Sequence, residues 1–131
     1  MAKYVFPAVF TREDQDAYSV NFPDVKNCFT GGESLADAIE AAEDVLGTML
    51  TFYEDEHRDI PDPSPLSSIS AAENEFVNYI ACDTLEYRKK NSTRAVKKTL
   101  SIPEWLNELA TEKGINFSQV LQEALKTQLG L

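Results

Sequence analysis

Val96-Lys97-Lys98-Thr99-Leu100-Ser101-Ile102-Pro103-Glu104-Trp105-Leu106-Asn107-Glu108-Leu109-Ala110, continuing through Gly114-Ile115-Asn116-Phe117-Ser118-Gln119-Val120-Leu121, is the stretch that decides the architecture. Its first seven residues alternate as a strand. Leu100 and Ile102 face one way and Lys97, Thr99 and Ser101 the other, while Lys98 falls on the apolar side with its stem at the rim and its ammonium reaching outward. Pro103 stops the strand and suits the first turn of a helix, where its missing N–H is not needed. Trp105, Leu106, Leu109 and Ala110 form that helix's apolar stripe. Gly114 stands where a left-handed residue ends a helix. Asn116 is an N-cap for the next one, in which Phe117, Val120, Leu121, Ala124, Leu125 and Leu129 share a face. The order is strand, helix, turn, helix in 36 residues. Chains below about 40 residues rarely stabilise a core alone, and a lone strand leaves its N–H and C=O groups unpaired. The economical solution is a second copy of the chain. Two strands then pair antiparallel, four helices close beneath them, and Leu100, Ile102, Trp105, Leu109, Val120 and Leu121 lie in the shared core.

This segment resembles the ribbon-helix-helix repressor family, in which a two-stranded ribbon enters the DNA major groove. The resemblance implies that Lys97, Thr99 and Ser101 meet base edges, a lysine donating to guanine and hydroxyls donating or accepting. It implies phosphate contacts for Lys98 and for the N–H groups at the start of the second helix, Asn116 to Ser118. The rival reading is a tail that only dimerises, its polar strand face merely solvated. Replacing Lys97, Thr99 and Ser101 would then leave DNA binding unchanged.

Upstream the charge reverses. Residues 1–87 carry four Lys+Arg against 18 Asp+Glu, a net of −14, whereas residues 88–131 carry eight against four, a net of +4. An acidic part repels nucleic acid and attracts a basic partner, and a basic part tolerates phosphate. The whole chain of 131 residues is 43% hydrophobic and 26% charged, a globular rather than disordered composition with room for one ordinary or two small domains. Its longest early apolar run, Val5 to Phe10 interrupted by Pro7, is too short for a membrane span or a signal peptide, so a soluble, cytoplasmic protein without membrane partners is expected. Cys28 and Cys82 show no C-x-x-C spacing and His57 is the only histidine. A disulfide framework, a structural zinc site and a multi-histidine metal site are disfavoured, and no metal or cofactor is expected.

Within the acidic part, residues 3–10 read as a strand with Tyr4, Phe6, Ala8 and Phe10 on one face. A polar turn at residues 12–16 leads to a second strand, 17–22, with Tyr18, Val20 and Phe22 aligned and Pro23 ending it. Cys28-Phe29-Thr30 is a short third strand stopped by Gly31-Gly32. Ser34 is a helix N-cap with Asp37 three residues on. Leu35, Ala38, Ile39, Ala42, Val45, Leu46, Met49, Leu50 and Tyr53 then form one stripe, and Asp37, Glu40, Glu43 and Asp44 lie opposite. Glu54-Asp55-Glu56 sit at the helix's C-terminal end, where the dipole disfavours anions; solvation is the simplest relief. Prolines 61, 63 and 65 impose an extended connector. Residues 75–82 form a strand apolar on both faces, which suggests a well-covered place in the sheet. Asp83 and Glu86 open a short helix to about Lys90, and residues 91–94 read as a hinge.

Asp16–Cys28, with its D-x-Y-S-V-x-F-P-D-x-x-x-C pattern, the following F-T-G-G-E-S-L-A-D-A-I-E-A-A and the later I-P-D-P-S are similar to the amino-terminal domain of HicB-type antitoxins. With the ribbon-helix-helix tail, the resemblance covers nearly the whole chain. It implies an α/β (α+β) fold, in which a small antiparallel-rich sheet with a packed helix, a partial RNase H-like arrangement, precedes a ribbon-helix-helix dimerisation domain. It implies a toxin-binding domain over residues 1–90 and a DNA-binding domain over 95–131. It also implies no enzymatic activity, a homodimer or higher even oligomer, and two partners: a basic RNA-cleaving HicA-type toxin and operator DNA. Toxin contacts are expected at Phe22, Asp24, Asn27, Cys28, Phe29 and Glu33 and on the acidic helix face. Simpler roles compete: Phe22 and Phe29 in the core, Asp24 ending a turn, Cys28 as a small buried hydrophobe, His57 in a solvated loop. A metal-dependent nuclease is a further rival, but that chemistry needs converging carboxylates and the first strand carries none.

Overall fold

The computed structural model describes residues 1–92 and 94–131. It divides into two compact units, Met1–Arg94 and Ala95–Leu131. The first holds strands β1 (Lys3–Arg12), β2 (Tyr18–Asn21), β3 (Phe29–Gly32) and β4 (Glu75–Asp83), with helices α1 (Leu35–Asp55) and α2 (Thr84–Asn91). The second holds α3 (Glu104–Glu112) and α4 (Phe117–Leu129).

The strands of the first unit lie in the order β3-β2-β1-β4, and every neighbouring pair is antiparallel. The protein is therefore mixed α+β. Period-2 alternation sends Phe6, Ala8 and Phe10 of β1 and Val20 of β2 to one face, where they meet Ala38, Ala42, Leu46 and Leu50 of α1 in the buried core. Ser34 caps α1 as its sequence suggests, its Oγ accepting from the Asp37 N–H at 3.1 Å. Asp83 caps α2 by accepting from the N–H groups of Leu85 and Glu86.

Several expectations change. β4 is an edge strand, not a covered one: its apolar residues on both faces reflect packing on α1 inside and a half-open outer surface outside. Gly31 and Gly32 belong to β3 rather than ending it. Gly32 lies directly beneath the start of α1, and a Cβ there would come 2.4 Å from the Ala38 nitrogen, so only glycine lets strand and helix approach this closely. Phe29 is 66% exposed, which removes it from the core. Asn91, placed in the hinge by its sequence, ends α2, and Thr93 of that hinge lies outside the described residues.

In the second unit, Gly114 takes φ +68° after α3, and Asn116 Oδ1 caps α4 by accepting from the Gln119 N–H at 3.1 Å. Pro103 is the residue before the first helical one, one position earlier than expected. Residues 96–102 are in neither helix nor strand in the single chain. A strand exists only by pairing, and the second unit contains no other segment to pair with.

Candidate functional site

The six residues singled out for toxin contact separate by depth. Phe22 and Cys28 are buried and cannot touch a partner. Burial pushes the Cys28 thiol up to about 11, so it is an inert thiol at neutral pH. Asp24 works internally: its two carboxylate oxygens accept from the Ser64 N–H at 2.9 Å and the Ser64 hydroxyl at 2.5 Å, pinning the proline-rich connector to the β2–β3 loop. Asn27, at φ +56°, Phe29 and Glu33 reach the surface.

The acidic face of α1 borders a groove. Asp37, Glu40, Glu43 and Asp44 form one wall, and the other is built from Ala81 and Cys82 at the end of β4 with Glu86 and Tyr87 of α2. The groove holds about 540 Å³, and among its lining residues Lys90 is the one cation. The helical period alone shows four carboxylates on one face. That β4 and α2 run alongside them follows from the chain's return after the connector, which carries no local signal. The Cys82 thiol is pushed up to about 11, by burial first and then by Asp83, Glu54 and Glu43.

The crowded acidic end of α1 is resolved within the molecule rather than by solvent. Glu54 is only 12% exposed, and its carboxylate accepts from Arg88 at 3.0 Å, the Thr84 hydroxyl at 2.9 Å and the Tyr4 hydroxyl at 3.0 Å, with the amino terminus at 3.2 Å. Arg88 also pairs with Asp55 at 3.0 Å. Burial pulls the Glu54 carboxyl upward, but the bonds from Arg88, Thr84, the amino terminus and Tyr4 outweigh it and hold it below its ordinary value. The basic end of α2 thus fastens to the acidic end of α1.

In the second unit Lys97, Lys98, Thr99, Ser101 and Ser118 are exposed, and so is Asn116 apart from its capping bond. The residues assigned to dimerisation are not packed within the chain. Trp105 is 63% exposed and Leu109 52%, Leu100, Ile102 and Val120 are also exposed, and Leu121 is half-buried. Among the described residues, no group of three or more His, Cys, Asp or Glu could hold a metal ion, and no helix is long and apolar enough to cross a membrane.

Residues 6–124 match the model of the HicB-like antitoxin of bacterial toxin-antitoxin systems, a match that runs through both units. The chain belongs to that family. It is 41% identical over 63 residues to the antitoxin HicB of Escherichia coli strain K12, covering 48% of this chain and 46% of that protein. It is 37% identical over 59 residues to antitoxin HicB 2 of Photorhabdus laumondii subsp. laumondii, covering 45% and 42%. The aligned part spans about half the length of these curated relatives. Among solved structures, a toxin-antitoxin complex from Streptococcus pneumoniae superposes on this HicB-like chain with TM-score 0.63 and 30% identity, over 96% of this chain and 99% of that one. The Burkholderia pseudomallei antitoxin HicB shares the fold with TM-score 0.54 and 17% identity, over 99% of this chain and 98% of that one.

Proposed function

We propose that this HicB-like chain is a non-enzymatic antitoxin: its acidic first unit binds and neutralises a basic, RNA-cleaving HicA-type toxin, and its second unit dimerises and reads operator DNA. The observation that carries the reading is the contrast between the units. The first closes its own core under a strongly acidic surface, whereas the second leaves Trp105, Leu109 and Val120 uncovered. An RNA-cleaving protein must attract phosphate, and a surface rich in carboxylates competes for the same cations. Four apolar helices from two chains, with residues 96–102 paired across them, would bury what the single chain exposes and present Lys97, Thr99 and Ser101 together as a ribbon. Asn27, Phe29 and Glu33 are the sequence-named residues able to touch toxin from the first unit. The sheet-and-helix arrangement of that unit is in keeping with a partial RNase H-like fold used for binding rather than hydrolysis.

Two measurements test this. RNA cleavage by its cognate HicA-type toxin should stop on adding an equimolar amount of the chain; undiminished cleavage refutes neutralisation. The triple variant Lys97→Ala, Thr99→Ala, Ser101→Ala should dimerise normally and lose binding to DNA from its own promoter. Retained DNA binding would show that the ribbon is not the reader and leave an assembly-only tail as the better account.

A further inference from the structure

The two edges of the sheet are built differently. β3, at one edge, is four residues long, whereas β4, at the other, is nine. Between Glu75 and Asp83 the β4 sequence Phe76-Val77-Asn78-Tyr79-Ile80-Ala81-Cys82 contains no charge and no proline. Long edges usually carry such residues to prevent other chains from adding to them.

The hydrogen-bond pattern identifies which groups are open. The Arg12 N–H donates to the Asn74 carbonyl at 2.8 Å and the Thr84 N–H to the Ala2 carbonyl at 3.0 Å. Combined with the register Phe6↔Ile80 and Ala8↔Asn78, these bonds make the even-numbered residues of β4 the hydrogen-bonded partners of β1. The main-chain N–H and C=O groups of Val77, Tyr79 and Ala81 therefore point away from the sheet. The Tyr79 N–H has turned to the adjacent Asn78 Oδ1, at 2.8 Å, as a group without a neighbouring strand would.

A strand added here would lie about 4.8 Å beyond β4. At the Ala81–Cys82 end that position borders the groove whose far wall is Asp37, Glu40, Glu43 and Asp44. Side chains alternate across a strand, so at that end the residues of the incoming segment that point to the α1 side would face these carboxylates. A second copy of this chain fits poorly, because edge-to-edge pairing would bring two sets of them together. A strand bearing lysine or arginine at alternate positions is the complementary occupant.

We propose that the free edge of β4 is a docking edge for an extended strand of a basic protein, main-chain bonds to Val77, Tyr79 and Ala81 giving affinity and the α1 carboxylates selecting cationic side chains. The inference rests on the reading that the acidic unit holds a basic toxin, and it places the contact on the opposite edge of the sheet from Phe29. In the full-length chain Ala81→Pro removes one outward N–H and leaves the bonds to β1 intact. Tyr79→Lys keeps every backbone bond and sets a cation at the edge, on a side chain 45% exposed. With the cognate HicA-type toxin as probe, each variant should bind at least about tenfold more weakly. The double variant Glu40→Lys, Asp44→Lys should slow association and flatten its salt dependence. Unchanged affinity in a folded Ala81→Pro and in Tyr79→Lys overturns the proposal while the antitoxin reading stands. If Ala81→Pro does not fold, Tyr79→Lys decides alone. If Ala81→Pro instead lowers the oligomeric state and keeps its affinity for the probe, the edge joins copies of this chain and the proposal fails. A parent chain that does not bind the probe at all overturns both readings.

Discussion

Replacing Arg88 by Met tests how α1 and α2 are held together. Arg88 is 23% exposed and reaches Glu54 and Asp55, each at 3.0 Å, and the Thr51 carbonyl at 3.3 Å. Asp55 is 63% exposed, so that arm contributes little, within about 0–1 kcal/mol. The arm to the nearly buried Glu54 is a charge-assisted bond of about 1.5–3 kcal/mol, and its loss leaves an anion with three remaining donors. Two features reduce the cost. Methionine keeps most of the apolar stem, and the Arg88 Nε is buried without a partner, so removing it relieves a desolvation cost. The balance is a loss of about 2 kcal/mol, which for a unit of this size lowers Tm by roughly 8–16 °C. Calorimetry on the full chain reads this directly. The pH dependence sharpens the test. Glu54 has its folded pKa held below the ordinary 4.5, so its stabilisation is complete above that value and is lost as pH falls through the folded one. Glu54→Gln should therefore be less stable than the parent at neutral pH, with the gap closing on acidification. A Tm for Arg88→Met within about 2 °C of the parent, given that 1 kcal/mol is worth about 4–8 °C, would refute the reasoning and make Glu54 an ordinary solvated carboxylate.

Gly32→Ala should cost about 3 kcal/mol in urea denaturation, because the nearest obstacles are backbone atoms of α1 that cannot swing aside; an unchanged midpoint would mean the strand–helix contact is looser than it stands here. Leu109→Ala distinguishes a dimeric tail from a monomeric one. A residue 52% exposed in one chain costs little by itself, so a loss of about 2 kcal/mol or more, in a transition that shifts with protein concentration, is expected only if a second chain covers it. Cys28 and Cys82, both pushed up to about 11 by burial, should resist thiol reagents at pH 8 in the native chain and react fully once it is unfolded; rapid native labelling of both would contradict their placement.

Local chemistry made several elements legible in the chain. Ser34, Asp83 and Asn116 cap helices because a side-chain oxygen next to an apolar stripe satisfies N–H groups that nothing else reaches, and that is a matter of residues three apart. The inward run Phe6, Ala8, Phe10 followed from strand alternation in the same way. β4 was misplaced, and the competing roles of Phe29 and Asp24 could not be separated, for a shared reason. Whether an apolar residue packs or protrudes, whether a carboxylate binds a partner or its own connector, and whether a strand is central or marginal all depend on which distant segment comes alongside. The pairing of Asp24 with Ser64 and of Glu54 with Arg88 spans 40 and 34 positions, beyond any periodic signal. The order of the amino acids by itself determined the helices, their caps, the opposed charges of the two halves and the apolar stripes of the tail, because each depends on neighbours a few residues apart. The tertiary structure alone decided which edge of the sheet stays open and which carboxylates stand beside it, because an edge is defined by the absence of a neighbouring strand, and that is a property of the folded whole.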